Sequence, residues 1–289
     1  MKNLTLINIA KVCDGKLFCN DKNLFEQEVS EIVTDNRKVT NNALFIAIKG
    51  ERVDGHNFIN SAFELGALCV ISEKELNIDK PYILVKDSLV AIKFIAKFYR
   101  EGLNIKVVGV TGSVGKTSTK ELIYSVLSKK YKVLKTEGNF NNELGLPLTI
   151  FRLREEHEIA VLEMGISDFG EMTRLSRIAK PDVSVITNIG LCHLENLKTR
   201  DGILKAKTEM FENLSENGDI ILNGDDDKLS TIIEYKNIKP IFYNVNNTNN
   251  STIYADNIIN EGIKGIKCTL HHNKSEINVM INIPGIHMV

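Results

Sequence analysis

Short apolar runs alternate along this chain with polar, glycine-punctuated turns and with stretches whose apolar residues recur every three or four positions. Leu44-Phe-Ile-Ala-Ile48, Cys69-Val-Ile71 and Tyr82-Ile-Leu-Val85 have the length and composition of buried strands. Between and after them, Phe58 to Leu65, closed by Gly66, and Leu89 to Tyr99, with Ala91, Ile92, Ile95, Ala96 and Tyr99 on one face, predict helices. Residues 1–104 therefore read as a small separate α/β domain, and Glu101-Gly-Leu-Asn104 as a linker. From residue 105 to 289, runs such as Val107 to Val110, Ile159 to Leu162, Val183 to Ile186 and Ile220 to Leu222 alternate with helical stretches. That alternation predicts a central doubly wound, mostly parallel sheet. The polar tract Asn244 to Ser251 reads as a surface loop.

One stretch organises the second domain. Val107 to Val110 is followed by Thr111-Gly-Ser-Val-Gly-Lys-Thr117 and then by Leu122, Ile123, Val126 and Leu127 at helical spacing. A strand, a glycine-rich turn and a helix in that order form a phosphate cradle. Glycines permit close backbone approach, and the free N–H groups and dipole at the helix start face an anion. Lys116 is placed to reach terminal phosphates, and the Thr117 hydroxyl to meet Mg²⁺. The usual pattern has a glycine five residues before Gly115, where this chain has Val110, so the match is incomplete.

Ligands of doubly wound sheets sit at the carboxyl ends of strands. One run ends on Glu163, a carboxylate where a Mg²⁺·ATP site needs a hard oxygen. Another ends at Thr187-Asn188, with His193 beyond; a third ends at Asn223-Gly-Asp-Asp. Taken alone, Glu163 is also a helix cap or an ion-pair partner, His193 an ordinary loop histidine, and Asn223-Gly-Asp-Asp a plain turn. Between Asp201 and Leu214 an apolar face runs through Ile203, Met210, Phe211 and Leu214, and Lys207 lies on that face. An inward lysine is costly unless paired or altered, and desolvation lowers its pKa. The alternative is a lysine whose stem packs while its amine reaches water. Thr34-Asp-Asn-Arg37, Gly50 to His56 and the asparagine-rich stretch Thr136 to Pro147 are either polar turns or ligand-binding lips.

Composition narrows the classes. At 289 residues with 43% hydrophobic and 25% charged residues, the chain is of globular type with room for two domains. A net charge of −1 gives no electrostatic case for nucleic acid. The 5 cysteines lack metal-type pairing and read as the reduced thiols of a cytoplasmic protein. No run reaches membrane-spanning length.

Together these motifs resemble the Mur ligase family, the ATP-dependent amide ligases of peptidoglycan synthesis. The resemblance is carried by Thr111 to Thr117, by Thr136-Glu-Gly-Asn-Phe-Asn-Asn142 with Gly145-Leu-Pro147, and by Leu162-Glu-Met-Gly165 with Gly170-Glu171. It continues in Thr187-Asn-Ile-Gly190 with His193-Leu-Glu195 and in Ala206-Lys-Thr-Glu209. Within the family these stretches are similar to the members that add D-alanyl-D-alanine to UDP-N-acetylmuramoyl-tripeptide. The resemblance implies ATP contacts at Thr111, Gly112, Ser113, Val114, Gly115, Lys116, Thr117, Asn139, Asn142, Asn223 and His287. It implies Mg²⁺ held by Thr117 and Glu163, a second Mg²⁺ near His193, and carbamylation of Lys207 by CO₂. In the N-terminal domain it implies UDP-sugar contacts at Thr34, Asp35, Asn36, Arg37, Leu44, Phe45, Gly50, Asp54, Gly55 and His56. Asn36 is a departure, since family members more often carry Ser there. The resemblance further implies a C-terminal Rossmann-like domain that this chain lacks, a monomer, and weak or no ligase activity without that domain. A non-catalytic nucleotide- or UDP-sugar-binding module and a folylpolyglutamate synthetase are the rival readings.

Overall fold

The computed structural model describes residues 1–245 and 251–283. By its contacts the chain divides into two compact units. One comprises residues 1–105 with 136–160 and 177–179, and the other the remaining described residues.

The first unit is built on a five-stranded sheet of order β1-β5-β4-β3-β2, with β1 Lys16–Phe18, β2 Ile32–Val33, β3 Leu44–Ile46, β4 Cys69–Ser72 and β5 Tyr82–Leu84. β2 to β5 pair in parallel and β1 runs antiparallel on β5. Phe45, Val70 and Tyr82 of the sheet pack with Ile59 and Ala62 of the Ile59–Glu64 helix in one apolar core. The helix expected at Leu89–Tyr99 spans Ser88–Glu101, started by Asp87, whose carboxylate accepts from the Val90 N–H at 2.9 Å. All five of its predicted inward residues are buried.

The stretch Glu101–Asn104 is no free linker. The buried Arg100 guanidinium donates to the carbonyls of Leu103 at 3.2 Å and Ile105 at 2.8 Å, and so pins it. Residues 136–160, read from the sequence as part of the central domain, pack in this unit. Tyr99 donates to the Leu153 carbonyl at 2.7 Å, and Lys93 pairs with Glu143 at 2.8 Å.

The second unit carries a nine-stranded sheet of order β14-β13-β12-β11-β10-β9-β6-β8-β7. The strands are β6 Lys106–Thr111, β7 Val133–Lys135, β8 Ile159–Glu163, β9 Val183–Ile186, β10 Asp219–Asn223, β11 Ile241–Val245, β12 Ile253–Asn260, β13 Ile266–His272 and β14 Ser275–Ile281. β6, β9, β10, β11 and β12 pair in parallel. The expected alternation of strand and helix fails at residues 253–281, where β12, β13 and β14 form an antiparallel meander. The turns there are too short for a crossover helix, so only antiparallel pairing is open to them.

Two further expectations are corrected. In the Lys116–Leu127 helix the apolar residues do not form a buried face: Val126 is 71% exposed, and the buried residue is Lys120. The helix foreseen at Asp201–Leu214 runs Arg200–Thr208 and tightens into a 3₁₀ turn over Glu209–Asn213. Residues 246–250 of the expected polar loop lie outside the described residues, and Asn244 before them is buried within β11.

Candidate active site

β6 lies at the point where the chain order reverses, between β8 on one side and β9 on the other, which is where ligands of such sheets bind. It ends on the fully buried Thr111, whose hydroxyl has no hydrogen-bond partner among the described residues. Gly112 follows with φ 153°, and a Cβ there would stand 1.9 Å from Thr187 Oγ1. Gly115, at φ 81°, starts the Lys116–Leu127 helix. The end of β9 holds the loop between them. Asn188 accepts the Ser113 N–H on its carbonyl and the Val114 N–H on its side chain, each at 3.0 Å. Thr187 Oγ1 donates to the Val114 carbonyl at 2.6 Å. The N–H groups of the helix's first turn have no intrahelical acceptor and offer themselves to an anion.

Lys116 folds back over this loop, its Nζ donating to the carbonyls of Gly112 at 2.9 Å and Ser113 at 3.3 Å. Thr117 Oγ1 donates to Glu163 Oε2 at 3.0 Å. Glu163 is the last residue of β8 and is 1% exposed. Two hard oxygen donors side by side at the mouth of a phosphate loop fit a divalent cation such as Mg²⁺. His193 is exposed, at φ 51°, directly before the short Leu194–Leu197 helix. Among the described residues no group of three or more His, Cys, Asp or Glu is arranged to hold a metal.

Lys207 is buried, as its helix face foretold, and its Nζ donates to the Gly112 carbonyl at 3.0 Å. Burial pushes its pKa down to about 8; the Cys192 thiol opposes the shift and Lys116 adds to it. In the same motif, Glu209 accepts from the N–H groups of Gly170 at 2.9 Å and Thr173 at 3.3 Å, capping the Glu171–Ala179 helix.

At the end of β10 the aspartates hold loops. Asp226 accepts from the Ile189 N–H at 2.8 Å and the Leu229 N–H at 2.9 Å, Asp225 from the Val245 N–H at 2.6 Å, and Asp227 pairs with Arg200. Asn223 ties β10 to β9 by donating to the Thr187 carbonyl at 3.1 Å. His287 lies outside the described residues. The buried Lys120, 3.5 Å from Glu163 Oε2, is a site residue that sequence reading missed. Its only signal was its place three residues after Thr117, on the same helix face.

In the first unit a cavity of about 530 Å³ is lined by Thr34, Asp35, Asn36, Arg37, Gly50 and Gly55, together with Ile48, Val53, Phe58 and Leu144. Arg37 grips Asp35 through two hydrogen bonds of 2.9 and 2.8 Å, holding the carboxyl down at about 2. Leu44 and Phe45 are core residues of β3 rather than cavity wall. His56 has both ring nitrogens engaged: Nδ1 is 2.6 Å from Asp54 Oδ1 and Nε2 accepts from the Glu73 N–H at 3.0 Å. Asn142 accepts from the Gly145 N–H at 2.8 Å and so opens the Gly145–Ile150 helix; Asn139 is exposed in the preceding turn.

Residues 110–289 match the Mur ligase middle domain, and residues 28–123 match the catalytic domain of the Mur ligase family. The chain belongs to the Mur ligase family. A UDP-N-acetylmuramoyl-tripeptide–D-alanyl-D-alanine ligase from Bacillus subtilis is 47% identical over 228 residues, covering 77% of this chain and 49% of the relative. A crystal structure of MurF from Acinetobacter baumannii superposes with a TM-score of 0.88 at 32% identity, over 99% of this chain and 61% of that one. MurF from Thermotoga maritima, solved in complex with ADP, matches at TM-score 0.77 and 34% identity, over 86% of this chain and 57% of that one. The chain thus spans about half the length of the Bacillus ligase and about three fifths of the MurF chains. FPGS of L. casei, at 14% identity and TM-score 0.56, shares the fold alone. Among the described residues no helix of this Mur ligase chain is long and apolar enough to cross a membrane.

Proposed function

We propose that this chain is the UDP-sugar- and ATP-binding part of a cytoplasmic, monomeric Mur ligase that joins D-alanyl-D-alanine to UDP-N-acetylmuramoyl-tripeptide at the expense of ATP. The observation that carries the reading is the Thr117–Glu163 pair, 3.0 Å apart beside the phosphate loop, in a chain 47% identical to a ligase of that name. The proposal assigns UDP-sugar binding to residues 1–104 and ATP binding to residues 105–289. The UDP-sugar lies in the first unit against Thr34 to Arg37, Gly50 and Gly55. Asp54 and His56 brace the Gly50–His56 loop, and Leu44 and Phe45 anchor β3 in the core of the same unit.

ATP lies on the loop Thr111 to Thr117. Its phosphates draw Lys116 off the Gly112 and Ser113 carbonyls, and Asn223 stands by that loop through its hold on the Thr187 carbonyl. The terminal carboxylate of the tripeptide attacks the γ-phosphorus and ADP leaves. The amine of D-alanyl-D-alanine then attacks the acyl phosphate, forming the amide and releasing phosphate and a proton. This chain contributes mainly positioning and charge neutralisation. Mg²⁺, held by Thr117 and Glu163 with a second ion near His193, would supply further neutralisation of phosphate charge. Lys207 reacts as the free amine with CO₂, forming an N–C bond and losing one proton, and so presents an oxygen anion in place of a buried cation. The product belongs to cell-wall precursor synthesis, which links the enzyme to cell shape and division.

The test is phosphate release by the intact ligase of which this chain is the proposed part, with ATP, UDP-N-acetylmuramoyl-tripeptide and D-alanyl-D-alanine. Dependence on all three is expected. Turnover with glutamate and a folate in their place would overturn the reading.

A further inference from the structure

Among the described residues two lysines are almost wholly buried, Lys207 and Lys120. Lys207 has its place in the proposed chemistry, and Lys120 has none there. Lys120 sits one turn into the phosphate-loop helix and shares a face with Thr117. Its Nζ lies 3.5 Å from Glu163 Oε2, the oxygen that accepts the Thr117 hydroxyl at 3.0 Å. On its other side it lies 3.3 Å from Glu121 Oε1. The Glu163 side chain is 2% exposed and that of Glu121 44%. Glu121 is in turn paired with Lys135, whose Nζ sits 4.3 Å above the Tyr124 ring. One buried ammonium is therefore shared between an inner carboxylate and an outer one. An ion held out of water needs such partners.

We propose that Lys120 is the resident counter-cation of the divalent-metal site. It neutralises Glu163 when no metal is bound and leans onto Glu121 when a metal takes the carboxylate. It thereby sets how tightly the metal is held and how readily it leaves. This rests on the reading of Thr117 and Glu163 as metal ligands. The physical basis is that two cations on one carboxylate repel each other across a few ångströms of protein, where screening is weak. Lys120 is a positioning and charge-setting residue here, one that touches the ligand rather than the substrate.

Structural filling and charge-setting predict opposite signs. The experiment is titration of the full chain with Mn²⁺ in the presence of ADP, followed by electron paramagnetic resonance of the free ion, so that binding is read without turnover. Lys120→Met, which keeps the volume and removes the charge, is expected to bind Mn²⁺ about tenfold more tightly, as loss of a nearby like charge requires. Glu121→Gln, a half-exposed change that leaves the fold intact, is expected to weaken binding about threefold, because the ammonium then leans harder on Glu163. Lys120→Arg stays near the parent. Unchanged or weaker binding by Lys120→Met, or unchanged or tighter binding by Glu121→Gln, overturns the proposal. If Lys120→Met does not fold, Glu121→Gln decides alone. Glu163→Gln is the control for the underlying reading. If it leaves Mn²⁺ binding intact, the ligand assignment falls and the proposal with it. If it abolishes binding while the two Lys120 and Glu121 signs fail, only the proposal falls.

Discussion

Lys116 and Lys207, far apart in sequence, donate to the same carbonyl oxygen, that of Gly112, at 2.9 and 3.0 Å. Two amines on one acceptor place like charges together in a buried setting. Burial, helped by Lys116, keeps the Lys207 pKa near 8, against an ordinary value of 10.5. The unfolded chain therefore holds a proton on this lysine between about pH 8 and 10.5 that the folded chain has released, and stability rises with pH across that window. Below about pH 8 both states carry the proton and the slope vanishes. In CO₂-free buffer the parent should gain roughly 3 kcal/mol over Lys207→Met across the window. Paired thermal unfolding curves at several pH values check this, and parallel curves would contradict it. With ¹³C-bicarbonate, a carbamate carbon resonance absent from Lys207→Met is expected.

Gly112 has no room for a side chain. Its φ of 153° and the 1.9 Å approach of a Cβ to Thr187 Oγ1 mean that Gly112→Ala must push β9 away from the loop or twist the loop itself. The expected loss is about 1–3 kcal/mol of stability, with nucleotide affinity falling further because the loop N–H groups lose their aim. Urea unfolding and ADP titration of the variant measure the two effects.

Glu209 gives the Ala206-Lys-Thr-Glu209 motif a second task, in the capping of the Glu171–Ala179 helix. Glu209→Ala should cost about 1–2 kcal/mol. Amide exchange at Gly170 and Thr173, whose N–H groups lose their acceptor, should quicken, while exchange in the five-stranded sheet of the first unit stays unchanged.

His56 braces its loop with both ring nitrogens. His56→Ala should therefore unprotect the Glu73 N–H in hydrogen exchange and destabilise the first unit by about 2 kcal/mol. Loss of UDP-sugar affinity with unchanged exchange at Glu73 would instead mean that the ring contacts ligand.

Much of the central site was legible because each residue sits at a strand end or on a periodic helix face. Thr111 to Thr117 follows an apolar run, Glu163 closes another, and Lys207 falls on the face of Ile203 and Phe211. Lys120 was hidden because Leu122, Ile123, Val126 and Leu127 advertise a different inward face from the one that is buried. The aspartates after Asn223 read equally as ligands or as a turn; Asp225 and Asp226 satisfy backbone donors and Asp227 pairs with Arg200, a distinction that depends on residues such as Ile189 and Val245 far off in sequence. The antiparallel edge at 253–281 has a period-two pattern, but nothing local says which neighbour such strands will find.

The proposed function requires the phosphate loop to serve a three-substrate amide ligation. Its most direct test is quenched-flow or coupled phosphate release by the intact ligase and its Lys116→Ala variant, with UDP-N-acetylmuramoyl-tripeptide, ATP and D-alanyl-D-alanine supplied together and one omitted in turn. The expected result is one phosphate per amide formed, none when any substrate is left out, and a loss of at least about 100-fold in Lys116→Ala. Near-normal turnover by Lys116→Ala, or phosphate release by the parent that ignores D-alanyl-D-alanine, would contradict it.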